Sequence, residues 1–354
     1  MEGDLEAAFD AVAELTPRLS ATKAARLLKD VSALRRHRGH APASVKARVG
    51  GRKHSKSRDR QAIQHHYDVS NAFYALWLDE RMIYSCAYFP SGAETLDEAQ
   101  ERKLELICRK LRLLPGERLL DVGCGWGGAA LYAAERYGAR VTGITLSQRQ
   151  LDEATARARS AGLLDDAVRI ELRDYREVDG TFDKVVSIGM AEHVGRANLA
   201  RYFSSAWDSL ETGGLMLNHA ISQGPRPLTG SSDVISGEFI QRYVFPDGEI
   251  LPLWEYVQAA EQAGFEVRDV EDLREHYAKT LRHWRRNLED SWDAAVAEVG
   301  EERARLWRLF LAGSAHGFER AHVAVHQVLL AKPGPGGQVR LPASRSDIYA
   351  RDGV

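Results

Sequence analysis

A chain of 354 residues with 44% apolar and 28% charged residues has the balance of a globular protein, which excludes a disordered or fibrous one. Its apolar runs are short and interrupted, none near the roughly 18 residues that span a bilayer, so no transmembrane helix is expected. The formal net charge of -2 hides an asymmetry: residues 1 to 17 carry five acids and no base, whereas residues 18 to 60 carry 14 Lys or Arg against Asp30 and Asp59.

Leu5 to Leu15 and Ser20 to Arg36 show helical apolar spacing, the second through Leu27, Leu28, Val31 and Leu34 with Ser20 as N-cap. The acidic start lacks a basic-then-apolar leader, so no secretory signal is predicted. From Gly39 to Arg60 the pattern dissolves into Gly, Pro, Ser, His and basic residues, which reads as a linker or flexible arm. Its charge suits an anionic membrane surface, nucleic-acid phosphates, or plain solvation. Gln61 to Phe89 is dense in aromatic residues. Helical spacing accounts for Phe73, Tyr74, Trp77 and Leu78 as packing, but not for the run Tyr84-Ser85-Cys86-Ala87-Tyr88-Phe89. Glu98 to Leu114 reads as a long amphipathic helix, ended by Pro115-Gly116.

An alternation then sets in. Strand Arg118 to Val122 is followed by helix Gly128 to Tyr137, strand Arg140 to Thr145, helix Gln148 to Ala161 and strand Val168 to Leu172. After a turn at Asp174-Tyr175 come strand Phe182 to Ile188, helix Asn198 to Leu210 and strand Gly214 to Ile221. This rhythm predicts an α/β fold, a doubly wound Rossmann-like sheet of parallel strands with ligands at their carboxyl ends. Ser222 to Pro252 is a long polar excursion of the kind that forms lids or substrate walls. Trp254 to Ala263 reads as helix and Gly264 to Val267 as the start of a strand. Thr280 to Leu330 reads as mostly helix, interrupted near Gly313 and Gly317, and Lys332 to Val354 as a loose tail. The expected division is a helical, basic extension at 1–60, a main domain at 61–332 with a lid and C-terminal helical insertion, and a flexible tail at 333–354. Cys86, Cys108 and Cys124, odd in number and far apart, suit neither a disulfide framework nor a zinc site and place the protein in the cytoplasm.

The stretch Leu119 to Ala129, LLDVGCGWGGA, organises this core. A buried strand leads through Asp121 into a turn with Gly123, Gly125 and Gly127, where a backbone without Cβ atoms lets a ligand lie close. A dinucleotide site expects an acid at the end of the second strand for a ribose hydroxyl. Here that strand ends in Leu146-Ser147-Gln148, which disfavours it. The better match is the Asp-x-Gly-x-Gly-x-Gly form of S-adenosylmethionine-dependent methyltransferases, a class I methyltransferase sheet.

Five segments in order make the match narrower: HYDVSNAFY (66–74), MIYSCAYF (82–89), LLDVGCGWGG (119–128), SIGMAEHVG (187–195) and HYAKTL (276–281). Together they resemble the cyclopropane-fatty-acyl-phospholipid synthase family, which includes the mycolic acid cyclopropane synthases. The resemblance implies that Tyr84, Ser85, Gly123, Gly125, Thr145, Leu146, Gln150 and Ile188 contact S-adenosylmethionine, with Asp121 and Tyr175 in the same site. Gln150 then takes the ribose role of the missing acid. Tyr175-Arg176 stands where the family usually has a Trp-Glu pair beside the adenine; a Tyr can stack there, and Arg176 departs from the pattern. The resemblance also implies a bound bicarbonate held by the Cys86 backbone, Glu192, His219, the Ile221 backbone and Tyr277. A cysteine common in the family's C-terminal helices is Ser314 here, so no catalytic role is carried over to that position. The large N-terminal domain of some members is replaced by about 60 residues of helix and basic arm.

The activity implied is methylene transfer to the cis double bond of unsaturated acyl chains of phospholipids. Aromatic faces, among Tyr67, Tyr84, Phe89 and Tyr277, would stabilise the carbocation, and bicarbonate oriented by Glu192 and His219 would take a proton as the ring closes. The implied place is peripheral, at the inner face of an anionic membrane, and lipid enzymes of this size often form homodimers. The same motifs allow a methyl- or methylene-branched product, and a small-molecule N-methyltransferase is a further alternative. A nucleic-acid methyltransferase is disfavoured: Ile188-Gly189-Met190-Ala191 follows the fourth strand instead of a base-stacking Asn/Asp-Pro-Pro-Tyr/Phe motif.

Overall fold

A computed structural model describes residues 5–15, 49–67, 69–225, 240, 243–339 and 341–349. Seven strands form one sheet: β1 (Arg118–Val122), β2 (Arg140–Thr145), β3 (Val168–Leu172), β4 (Phe182–Ile188), β5 (Leu210–Gln223), β6 (Glu266–Asp272) and β7 (Val323–Ala331), in spatial order β3-β2-β1-β4-β5-β7-β6. The first five run parallel, and β7 runs antiparallel to both β5 and β6. The chain winds outward from β1 to β3, returns to β4 beside β1, and winds the other way. The crevice between β1 and β4 is therefore the switch point at which such sheets bind ligands.

The expected alternation is what forms. Leu119, Leu120 and Val122 bury both faces of β1, as a central parallel strand requires. The chain turns into α5 (Gly128–Tyr137) through Gly123 at φ +82°. A Cβ at Gly128 would lie 2.8 Å from the Arg81 carbonyl oxygen, so the loop after α3 (Asn71–Ala75) closes directly over this turn. Helix α4 (Leu96–Leu111) opens with a capping box, Thr95 accepting from the Glu98 N–H and Glu98 from the Thr95 N–H. Helices α6 (Gln148–Ser160), α7 (Leu199–Ser209) and α8 (Leu253–Gln262) complete the layers over the sheet.

Three helices form the insertion: α9 (Arg274–Asp290), α10 (Trp292–Val299) and α11 (Glu301–Glu319). With α3 they enclose an aromatic cluster of Phe73, Tyr74, Trp77, Tyr84, Trp284 and Trp307. Tyr84, next to the cofactor turn, is held in this cluster. Here the structure differs from the reading of 280–330 as mostly helix broken near two glycines. Helix α11 runs unbroken through the buried Gly313 and Gly317, where a glycine costs about 1 kcal/mol against alanine. Residues 323–331 are strand β7, an apolar run buried on both faces that periodicity does not separate from a helix.

The ends differ too. Residues 333–349, expected as a loose tail, carry α12 (Ser346–Tyr349), where Ile348 is buried and Asp347 pairs with Arg112 at 2.8 Å. At the start, α1 (Leu5–Leu15) lies against α11, with Glu6 on Arg282 at 2.8 Å and Asp10 on Arg320 at 2.7 Å. Helix α2 (Lys56–Tyr67) begins inside the stretch read as a linker. The helix expected at 20–36 and the tip of the 222–252 excursion lie outside the described residues. No described helix is long and apolar enough to cross a membrane.

Candidate active site

Two cavities meet above the carboxyl ends of β1, β4 and β5. The smaller, about 110 Å³, is lined by all ten residues assigned to the cofactor: Tyr84, Ser85, Asp121, Gly123, Gly125, Thr145, Leu146, Gln150, Tyr175 and Ile188. Their positions follow from the fold. Asp121 is the fourth residue of β1, and burial pushes its carboxyl up to about 7 against the opposing pull of Lys103; its Oδ2 has no hydrogen-bond partner. Ser147 caps α6 and accepts from the Gln150 N–H at 3.3 Å, which holds Gln150 in the first turn. The Thr145 hydroxyl donates to Gln150 Oε1 at 2.7 Å, so the amide has its NH₂ to offer a ribose hydroxyl.

Tyr175 lines the cavity with its hydroxyl buried and unpartnered. The neighbouring Arg176 is committed to contacts within the protein. Its guanidinium stacks 5.2 Å over the Tyr175 ring and binds Asp174 at 2.6 Å and Asp59 at 3.0 Å. It thereby pins α2 across the site, and Ile63 of α2 completes the cavity wall.

The larger cavity, about 480 Å³, is lined by all five residues assigned to the anion: Cys86, Glu192, His219, Ile221 and Tyr277. Glu192 sits in the turn after β4. Its Oε1 accepts from the Ile221 N–H at 2.7 Å, while Oε2 is buried without a partner. Burial pushes this carboxyl up to about 7, with the Ile221 hydrogen bond pulling the other way. Ile221 therefore enters the site by aiming Glu192. Its N–H is engaged with that carboxylate.

His219, on β5, takes a hydrogen bond at Nδ1 from Gln327 Nε2 at 3.2 Å on β7, which leaves the proton on Nε2. Nε2 has no partner, and burial holds the ring neutral. The Cys86 thiol donates to the Ala87 carbonyl at 3.2 Å, and burial pushes its pKa up, so it has no nucleophile's character. The Tyr277 ring packs 4.5 Å from that of Phe318 and edge-on to Trp284. Of the other aromatics assigned to cation stabilisation, Tyr84 lines both cavities. Phe89 stacks on His283 away from them, and the Tyr67 side chain lies outside the described residues.

Tyr84, Ser85, Gly189 and His193 line both cavities and so form the passage between them. Burial pushes His193 down to about 4, so a neutral imidazole faces the passage. The sequence motifs gave no role to His193 or to Lys103. That lysine is fully buried, lines the smaller cavity and donates to the Ser85 hydroxyl at 3.0 Å. The signal was present: Leu96, Lys103 and Lys110 follow one another at seven-residue spacing along the buried face of α4.

A family model described as mycolic acid cyclopropane synthetase matches residues 54–328. A relative named "Probable fatty acid methyltransferase" from Pseudomonas putida is 51% identical over 303 residues, 84% of this chain and 76% of that protein. The cyclopropane synthase MmaA2 from Mycobacterium tuberculosis superposes with a TM-score of 0.73 at 33% identity, covering 77% of this chain and 98% of that one. The mycolic acid cyclopropane synthase CmaA1 complexed with SAH and CTAB gives 0.72 at 34% identity, again over 77% and 98%.

Proposed function

Because the chain belongs to the mycolic acid cyclopropane synthetase family, we propose that it adds a methylene group to cis double bonds of unsaturated phospholipid acyl chains, forming cyclopropane rings. It is an S-adenosylmethionine-dependent methyltransferase of that family acting on lipids. One observation carries the finer reading: a cavity with the cofactor motif opens, through Tyr84, Ser85, Gly189 and His193, onto a larger one walled by apolar and aromatic side chains. An acyl chain fits the second cavity by burial of its apolar surface.

The residues fit both absent groups. Asp121 Oδ2, the Tyr175 hydroxyl and the glycine turn offer polar partners and close backbone to a nucleoside sulfonium. Glu192 Oε2, once that carboxyl is protonated, and His219 Nε2, both buried without partners on one cavity wall, suit a small oxyanion that accepts two hydrogen bonds. When bound, S-adenosylmethionine supplies an electrophilic methyl group and bicarbonate supplies a base. The chain's part is to hold and to exclude. The passage residues keep the alkene in line with the cofactor cavity. The Tyr84 and Tyr277 rings face a cation that water would otherwise trap. Glu192, aimed by Ile221, and His219, fixed by Gln327, orient the anion.

A second reading changes only how the cation is resolved, giving methyl- or methylene-branched chains, and the named relative of Pseudomonas putida supports it. Incubation with S-adenosylmethionine and vesicles of cis-unsaturated phospholipid tests both. Fatty acids heavier by one methylene that resist hydrogenation support the cyclopropane reading. The same gain with a product that hydrogenation alters supports the second, and no gain with any lipid contradicts both.

A further inference from the structure

The five residues around the proposed anion supply hydrogen-bond donors and aromatic surface, yet no fixed positive charge. Glu192 is an acid, His219 is held neutral, Tyr277 is a phenol, Cys86 contributes backbone, and the Ile221 N–H is taken by Glu192. Arg196 also lines the larger cavity, but its guanidinium is spent on Glu255 at 2.6 Å and on Glu249. An anion taken from water into such a site without a counter-charge is costly.

We propose that Lys103 is that counter-charge, acting through Ser85 as a positioning residue behind the passage between the two cavities. Its Nζ donates to the Ser85 hydroxyl at 3.0 Å, and Ser85 lines both cavities and immediately precedes Cys86. Lys103 has no exposure, and its charge acts on Cys86 and on His219, two of the anion's proposed holders. The acids facing it are Asp79 and Asp121. Asp79 is committed to the Arg81 and Ile83 N–H groups at 3.0 and 2.8 Å, and no ion pair ties Lys103 to either acid among the described residues. Burial pushes the ammonium down to about 8, so it is charged at neutral pH. A lysine buried without an ion pair carries a desolvation cost that a nearby anion would offset.

The inference rests on the anion site proposed above, and its test separates the two. Carbon-13 bicarbonate is titrated into the full chain by NMR in the presence of S-adenosylhomocysteine, and binding of S-adenosylhomocysteine is measured by calorimetry, for wild type, Lys103→Met and Lys103→Gln. The glutamine variant keeps a hydrogen bond to Ser85 and serves where methionine does not fold. Bicarbonate affinity is expected to fall about tenfold or more in either variant, and by a clearly larger factor than cofactor-product affinity. A merely structural lysine would weaken both ligands together, and that result overturns the inference. Equal bicarbonate binding by wild type and variants overturns it and leaves the anion site standing. No bicarbonate binding by the wild type overturns the anion site and the inference with it.

Discussion

The Ile221 N–H donates to Glu192 Oε1 at 2.7 Å, and this bond between β5 and the turn after β4 fixes which oxygen of Glu192 is left unengaged. The other oxygen is buried without a partner on the wall of the larger cavity. Glu192→Gln keeps the shape and removes the proton-dependent acid. Turnover is expected to fall about a hundredfold or more, with S-adenosylmethionine affinity unchanged by calorimetry. Wild-type turnover in this variant would remove Glu192 from the site.

The same carboxyl makes stability depend on pH. Its folded pKa is raised from 4.5 to about 7 by burial, so the folded state holds the proton more tightly than the unfolded one. The associated stability is fully present below pH 4.5 and is lost as pH rises through about 7. Glu192→Gln removes the titration, and relative to wild type it is expected to be more stable at pH 8 than at pH 5. The upper bound on that difference is about 3 kcal/mol. Denaturant melts of both proteins at the two pH values measure it, and a pH-independent difference would contradict the assignment.

Gly123→Ala places a Cβ 3.2 Å from the Met190 side chain on a backbone at φ +82°. The left-handed conformation alone costs roughly 1–2 kcal/mol for a residue with a Cβ. Lower thermal stability and at least tenfold weaker S-adenosylmethionine binding are expected. Calorimetry that finds unchanged affinity would show that the turn does not approach the cofactor.

Contact with an anionic membrane is proposed for the basic stretch whose last part, Arg52 to Arg60, is docked at the site by Arg58 on Asp247 and Asp59 on Arg176. Arg52 and Lys53 are exposed. With each charge near such a surface contributing about 1 kcal/mol, Arg52→Glu with Lys53→Glu is expected to weaken binding to anionic vesicles at least tenfold at low salt. Sedimentation with vesicles reads this out, and unchanged binding removes the basic arm from membrane contact.

Much of this molecule was legible in its sequence, for identifiable reasons. The alternation from Arg118 to Ile221 carries the parallel sheet, because β1 and its neighbours are apolar runs separated by turn residues and caps such as Ser147. The residues that the family resemblance assigns to a cofactor and an anion, some of them outside the five motifs, line two adjoining cavities. What was missed depends on contacts between distant segments. Strand β7 is fixed by pairing with β5 and β6, and α11 continues through Gly313 and Gly317 because packing outweighs propensity. Gln327 reaches His219 only after β7 pairs with β5, and Arg176 finds Asp59 across 117 positions of chain. The spacing of Lys103 puts it on the buried face of α4, but only the fold brings Ser85 against it.

In the proposed reaction the transferred group loses one of its own protons while the acyl chain is held at the passage between the cavities. Incubation with S-adenosylmethionine bearing a trideuterated methyl group, followed by mass spectrometry of the hydrogenated fatty acids, tests it most directly. The expected product resists hydrogenation and retains two of the three deuterium atoms. A saturated branched product that retains all three, or lipid that carries no label, would contradict the account.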